Sequence, residues 1–211
     1  MPYGYFAGDD DNPLGSTYGT VGFIGDLVTD VAASGYSVAY IHWCAVTDYT
    51  YVECWGYNGY GALGDGSRTN SYLQPVRVQG LPAGKVSALS LGYVYSCAMV
   101  DGRDSPGGYG NSTVWCWGYN NVGQLGDDSV TTRKAPVMVQ GLPGNVTSID
   151  AEYSTACALV DGGEVYCWGE GTKGELGNGA ASDSTTAVKV RGLEDVVVTQ
   201  MSTGECLGSF L

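Results

Sequence analysis

One phrase occurs three times in this chain: CWGYNGYGALGDGS from Cys54, CWGYNNVGQLGDDS from Cys116 and CWGEGTKGELGNGA from Cys167. In every copy a leucine lies eight residues beyond the tryptophan, which pairs Trp55 with Leu63, Trp117 with Leu125 and Trp168 with Leu176. Glycines bracket each of these leucines. A second phrase follows at a similar distance, as QPVRVQGLP, APVMVQGLP and TAVKVRGLE. A third precedes each copy, as LVTDVAASGYSVAYIHWCAV, KVSALSLGYVYSCAMV and NVTSIDAEYSTACALV. The tryptophans are 62 and then 51 residues apart. A motif returning at that interval describes one small unit built several times, each copy hiding its apolar face on its neighbours, and the interval suits a small sheet repeated around an axis.

Each phrase reads as strand. PVRVQ and AVKVR alternate apolar and polar side chains and are rich in valine, the pattern of a half-buried strand. CALV and EVYCW are separated by Asp161-Gly162-Gly163, the chemistry of a tight hairpin with positive φ. Nowhere does an apolar period of 3.6 persist over three turns. The fold class expected is all-β.

The combination of Cys-Ala-Leu, a hairpin, Trp-Gly-Tyr-Asn and Gly-Gln-Leu-Gly resembles the regulator-of-chromosome-condensation repeat, most closely at Trp117 to Gly126. The resemblance covers nearly the whole chain and implies a β-propeller of four-stranded blades. Members of that family usually close with seven blades, more than 211 residues supply. The expected architecture is three whole blades and one split or incomplete blade, a single repeat domain over 1–211 with repeats near 1–53, 54–115, 116–166 and 167–211. In such a blade Trp55, Trp117 and Trp168, each starting the same strand, wedge between neighbours, and each buries roughly 150–250 Å² of ring. Leu63, Leu125 and Leu176 turn inward on glycine turns that carry no φ penalty.

The hairpin register also pairs the cysteines. With a three-residue loop at 161–163, Val160 faces Glu164, Leu159 faces Val165 and Cys157 lands opposite Cys167. Cys44 and Cys54 have the same separation of ten. Cys97 and Cys116 are nineteen apart, the excess lying in a Gly- and Ser-rich hairpin tip. Three disulfides follow, one per blade, close to the geometry that opposed residues of an antiparallel pair provide. Zinc sites gather four ligands and prefer cysteines two to four apart, so neither metal nor another cofactor is expected; reduced structural thiols are the remaining alternative. Cys206 has no mate, because Tyr5 stands where its partner would, which marks it as unpaired or intermolecular.

Disulfides imply an oxidising compartment, hence an extracellular or cell-surface protein. Two sequons agree, Asn111-Ser-Thr and Asn145-Val-Thr, both placed in surface loops where a glycan fits. The chain carries 22 acidic against 9 basic residues, formally −13, a field that repels nucleic acid and anionic lipid. No run of about 18 apolar residues exists to span a membrane. The first residues, MPYGYFAGDDD, lack the basic and apolar regions of a signal peptide.

YFAGDDDNPLG aligns with CWGYNGYGALG, placing Phe6 at the tryptophan position and Leu14 at the leucine, while VVVTQMSTGECLGSFL stops before its own Trp-Gly strand. The two ends therefore complement each other. A piece of a longer propeller, a closed four-blade ring, and a subunit completed head-to-tail by its neighbour all satisfy that pattern.

No catalytic residue is expected. The one histidine, His42, reads as a strand residue at a blade surface, and no nucleophile elbow, phosphate loop or dinucleotide fingerprint stands in its required context. GDDDN at 8–12 fails as an EF-hand begun at Asp9, since the twelfth position is Thr20. The leading expectation is a non-enzymatic scaffold or protein-binding propeller, a component of a cell surface or filamentous appendage that partners other subunits or itself. Several of the sixteen tyrosines stand in loops, among them Tyr57, Tyr60, Tyr109 and Tyr119, and suit contact surfaces or carbohydrate stacking. A second expectation is a secreted enzyme inhibitor or regulator acting through one propeller face, as some secreted relatives of this repeat do. The namesake activity, nucleotide exchange on a nuclear GTPase, demands a reducing compartment and a basic surface that this sequence does not offer.

Overall fold

The computed structural model describes residues 27–34, 37–102 and 110–203. Over these residues the chain forms twelve strands in three antiparallel sheets, each of four strands taken in sequence order. The first sheet contains β1 (Val28–Ala33), β2 (His42–Thr47), β3 (Tyr51–Gly56) and β4 (Ser71–Arg77). The second contains β5 (Lys85–Leu91), β6 (Tyr95–Asp101), β7 (Thr113–Gly118) and β8 (Arg133–Met138). The third contains β9 (Val146–Glu152), β10 (Thr155–Val160), β11 (Glu164–Gly169) and β12 (Ser184–Lys189). First strands of successive sheets touch, β1 on β5 and β5 on β9, so the sheets fan about an axis nearest those strands. This is the blade arrangement of a β-propeller. Phe6, Leu14, Asp9, Tyr109 and Cys206 lie outside the described residues.

The central hairpin of each sheet has the register its apolar alternation dictates: Val160 opposite Glu164, Leu159 opposite Val165, Cys157 opposite Cys167. Cys44 opposes Cys54 and Cys97 opposes Cys116 in the same way. All three pairs are bonded, with Cα atoms 4.1, 4.1 and 4.0 Å apart, the close approach of a non-hydrogen-bonded antiparallel pair.

The tryptophans end their strands rather than start them: Trp55, Trp117 and Trp168 are the last residues but one of β3, β7 and β11. The cause is local. The disulfide occupies the middle of the ladder, and the glycine after the tryptophan takes a positive φ, +111° at Gly56. A Cβ there would stand 2.6 Å from the Ile41 carbonyl oxygen, so only glycine permits the turn that closes the strand. At the same place the ladder to the outer strand slips. Cys54 pairs with Val76 and Gly56 with Ser71, and the other two sheets repeat the irregularity.

Two of these tryptophans form the seams between described blades. Trp117 is fully buried with Leu63 and Val78 of the first blade, and its indole Nε1 donates to the Ala62 carbonyl at 2.7 Å. Trp168 repeats this one blade on, against Leu125 and Val139, donating to the Gln124 carbonyl at 3.0 Å. Gly64 must be glycine, since a Cβ would lie 2.8 Å from the Trp117 nitrogen. Trp55 stacks on Trp43 at 6.3 Å, and Leu176 is buried with Leu159 and Val165.

Candidate functional site

The loops at one edge of the sheets carry tyrosines in a repeating position. Tyr40, Tyr93 and Tyr153 each stand four residues before the first cysteine of a hairpin, in the turns joining β1 to β2, β5 to β6 and β9 to β10. Tyr57 and Tyr119 follow Trp-Gly, in the turns leaving β3 and β7. Since inner and middle strands end at the same edge, all five side chains emerge together, and Tyr60 joins them from the loop after β3. The rings form one chain of contacts across three blades. Tyr60 lies 4.5 Å from Tyr119 and 6.2 Å from Tyr57. Tyr40 lies 4.9 Å from Tyr57 and 5.7 Å from Tyr93, both edge-to-face, and Tyr93 stacks on Tyr153 at 5.6 Å. The Tyr93 amide also donates to the Tyr153 carbonyl at 2.9 Å.

Tyr153, at 42% exposure, Tyr40 and Tyr60 are exposed, and Tyr57, Tyr93 and Tyr119 are half-buried. Partial burial, then the neighbouring phenols, push the Tyr57 and Tyr93 hydroxyls above the ordinary tyrosine range. These phenols therefore stay protonated at pH 7. The patch is neutral, aromatic, and rimmed with hydroxyls that can donate or accept.

Buried asparagines hold the loops beneath it. Asn58 is fully buried; its Oδ1 accepts from the Leu63 amide at 2.9 Å, and its Nδ2 donates to Asp65, Ser67 and the Thr69 carbonyl. Asn120 does the same for Leu125, Asp127, Ser129 and Thr131. Each ties both ends of its amide to groups inside one loop, which fixes the loop and the tyrosine preceding it. The third blade departs from this pattern. Glu170 and Gly171 replace Tyr-Asn, and Gly171 donates to Asp183 at 3.0 Å. Glu170 thereby puts a carboxylate where the first two blades have a tyrosine ring, and its amide donates to the carbonyl of Ser154, the residue after Tyr153, at 2.9 Å. At the opposite edge, cations lie over tyrosines: Arg77 is 3.7 Å from the Tyr51 ring centre and Lys85 is 4.9 Å from that of Tyr49.

His42 is sealed in the first seam rather than set at a blade surface. Its Nε2 lies 2.9 Å from Ser96 Oγ, and both residues are fully buried. Ser96 spends its hydrogen on the Ala62 carbonyl at 2.9 Å, so Nε2–H must donate to Ser96. Desolvation lowers the His42 pKa from 6.5 to about 4, against opposing backbone contacts from Tyr40 and Tyr95. A serine and histidine at this distance have the chemistry of a nucleophile and base, but this pair has no solvent access and a committed hydroxyl. Among the described residues no three metal-binding side chains come together. The two sequons meet: Ser112 N donates to Asn145 Oδ1 at 2.7 Å, which leaves Asn145 half-buried beside exposed Asn111.

Three segments, 54–99, 111–159 and 162–206, match the family described as the regulator of chromosome condensation (RCC1) repeat, and a second description of that repeat matches 146–175. Among curated proteins the chain is 29% identical over 161 residues to the human E3 ubiquitin-protein ligase HERC2, covering 76% of this chain and 3% of that protein. It is 29% identical over 164 residues to the Arabidopsis thaliana ultraviolet-B receptor UVR8, covering 77% of this chain and 35% of the receptor. Among solved structures, human WBSCR16 superposes with a TM-score of 0.63 at 24% identity over 81% of this chain and 42% of its own. Yeast RCC1 (Prp20), solved with Kap60, gives 0.65 at 16% identity over 78% and 37%. The chain thus spans about a third of the receptor's length and a small fraction of the ligase's.

Proposed function

The chain belongs to the regulator of chromosome condensation (RCC1) repeat family, and from that premise we propose that it is a non-enzymatic, protein-binding propeller working outside the cell or on its surface, one repeat domain over 1–211. The observation that carries the binding role is the chain of six tyrosines. A monomeric surface has no structural need for a row of exposed and half-buried rings spanning three blades, whereas tyrosine is enriched where one protein meets another. The rings rise from turns positioned by rigid strands, so a partner meets a preorganised surface and little ordering cost follows. The location rests on the three cross-strand disulfides, bonds that persist under oxidising conditions, and on the paired sequons at Asn111 and Asn145.

Two experiments test this reading. A photo-crosslinking residue at position 60 or 119 of the intact chain, in its native surroundings, should form discrete protein adducts absent when it replaces Leu73 on the outer strand β4. Equal labelling at both places, or none at 60 and 119, sinks the binding role. Intact mass of the isolated protein, with and without reductant, should show three bonds, and free thiols at the six paired cysteines would remove the extracellular assignment.

A further inference from the structure

The rings on the tyrosine face have an electrostatic bias. A protonated phenol presents a negative ring face, which attracts cations. This chain already uses that attraction at its opposite edge, where Arg77 covers Tyr51 and Lys85 covers Tyr49. Those are the cation–ring contacts among the described residues. Arg133, at the start of β8, is held by Asp127 at 2.8 Å. Carboxylates mark the other end: Glu170 stands where the first two blades place tyrosine, and Glu152 adjoins Tyr153. The whole chain carries −13, so a cationic partner is drawn in and an anionic one repelled.

Resting on the protein-binding reading above, we infer that the tyrosine face takes an extended, arginine- or lysine-bearing segment of a partner protein. Its cations lie over the rings of Tyr40, Tyr57, Tyr60 and Tyr119, and the carboxylate of Glu170, at the position where the first two blades carry tyrosine, receives its end. Edge-to-face packing of Tyr40 against Tyr57 and Tyr93 holds neighbouring rings at steep angles. Successive faces are therefore offered to successive side chains, as an extended strand presents them, and not as one flat platform for a sugar ring.

The test uses the full-length oxidised chain and a fluorescein-labelled short peptide of alternating arginine and glycine, followed by anisotropy in about 150 mM salt, where long-range attraction is largely screened. The peptide should bind, a glutamate–glycine peptide should not, and oligoproline should bind more weakly. Replacing both Tyr60→Leu and Tyr119→Leu should weaken binding about tenfold, while Tyr60→Phe with Tyr119→Phe keeps most of it, because phenylalanine retains the ring face. Unchanged affinity in the leucine variant means that net charge alone attracts the peptide, and overturns the inference. Equal or tighter binding of oligoproline overturns it as well, yet leaves the protein-binding role standing; that role falls only with the crosslinking result. Should the leucine variant fail to fold, proton NMR of the wild-type complex decides instead. Arginine δ-methylene resonances must move upfield under the ring currents, and unmoved resonances reject the proposal.

Discussion

His42 shows how one side chain's surroundings set a property of the whole. Buried with its Nε2–H committed to Ser96, it holds its neutral form down to about pH 4, whereas the unfolded chain takes up a proton near 6.5. Above pH 6.5 neither state is charged and the full stability is present. As pH falls from there the unfolded chain gains a proton that the folded one refuses, so stability drops until the folded pKa is reached, by about 3 kcal/mol in all. Urea unfolding at pH 7, 5.5 and 4 should show this slope in the wild type and a flatter one in His42→Gln; equal slopes would place the acid sensitivity elsewhere. Nothing in YIHWC announced that burial, because the neighbour that seals the histidine, Ser96, lies 54 positions away. The buried asparagines were nearer to hand. Asn58 and Asn120 both stand three residues after a tryptophan in the repeated phrase, but Asn also reads as an ordinary turn residue, and only its four loop partners distinguish the two roles.

At the scale of the element, the hairpin is the unit that counts. Opening Cys157–Cys167 by a double serine substitution frees a ten-residue loop and should cost roughly 2.5–3 kcal/mol, and the nineteen-residue loop of Cys97–Cys116 somewhat above 3 kcal/mol, by loop-closure entropy. Denaturant midpoints of the two double variants should therefore fall in that order; the reverse order would mean that packing of the sulfur atoms outweighs chain entropy. The pairing itself was legible because a strand's side chains alternate strictly and the turn length is given by Asp-Gly-Gly. What escaped was where the strand stops. The tryptophan stands second in the repeated phrase but last but one in its strand, since the boundary depends on the approach of the Ile41 carbonyl to Gly56, a contact from the neighbouring strand's loop. The tyrosines were half legible. Tyr57, Tyr60 and Tyr119 stand out after Trp-Gly, whereas Tyr40, Tyr93 and Tyr153 share a constant offset from the first cysteine that loops of differing length disguise.

For the whole molecule, stability is carried by the seams between blades. Trp117 fills the first seam completely and supplies the Ala62 carbonyl with a donor, a carbonyl that Ser96 also uses. Trp117→Ala should cost on the order of 3–5 kcal/mol, as large aromatic truncations do, and Trp117→Phe less, since the cavity shrinks while the lost indole donor leaves Ser96 bonded there. If the seam couples the first two blades, the alanine variant will melt in two steps by calorimetry; a single sharp transition would show that the remaining contacts suffice. Among the described residues every disulfide lies within a blade and none crosses a seam. Under tension the joints between blades therefore open first, held among the described residues by apolar packing, ring contacts and hydrogen bonds, while the residues enclosed by each sulfur bridge cannot extend at all. Such a chain lengthens in discrete, recoverable steps and keeps its hairpins folded, the mechanical behaviour of a ratcheted strap that slips between buckles without tearing.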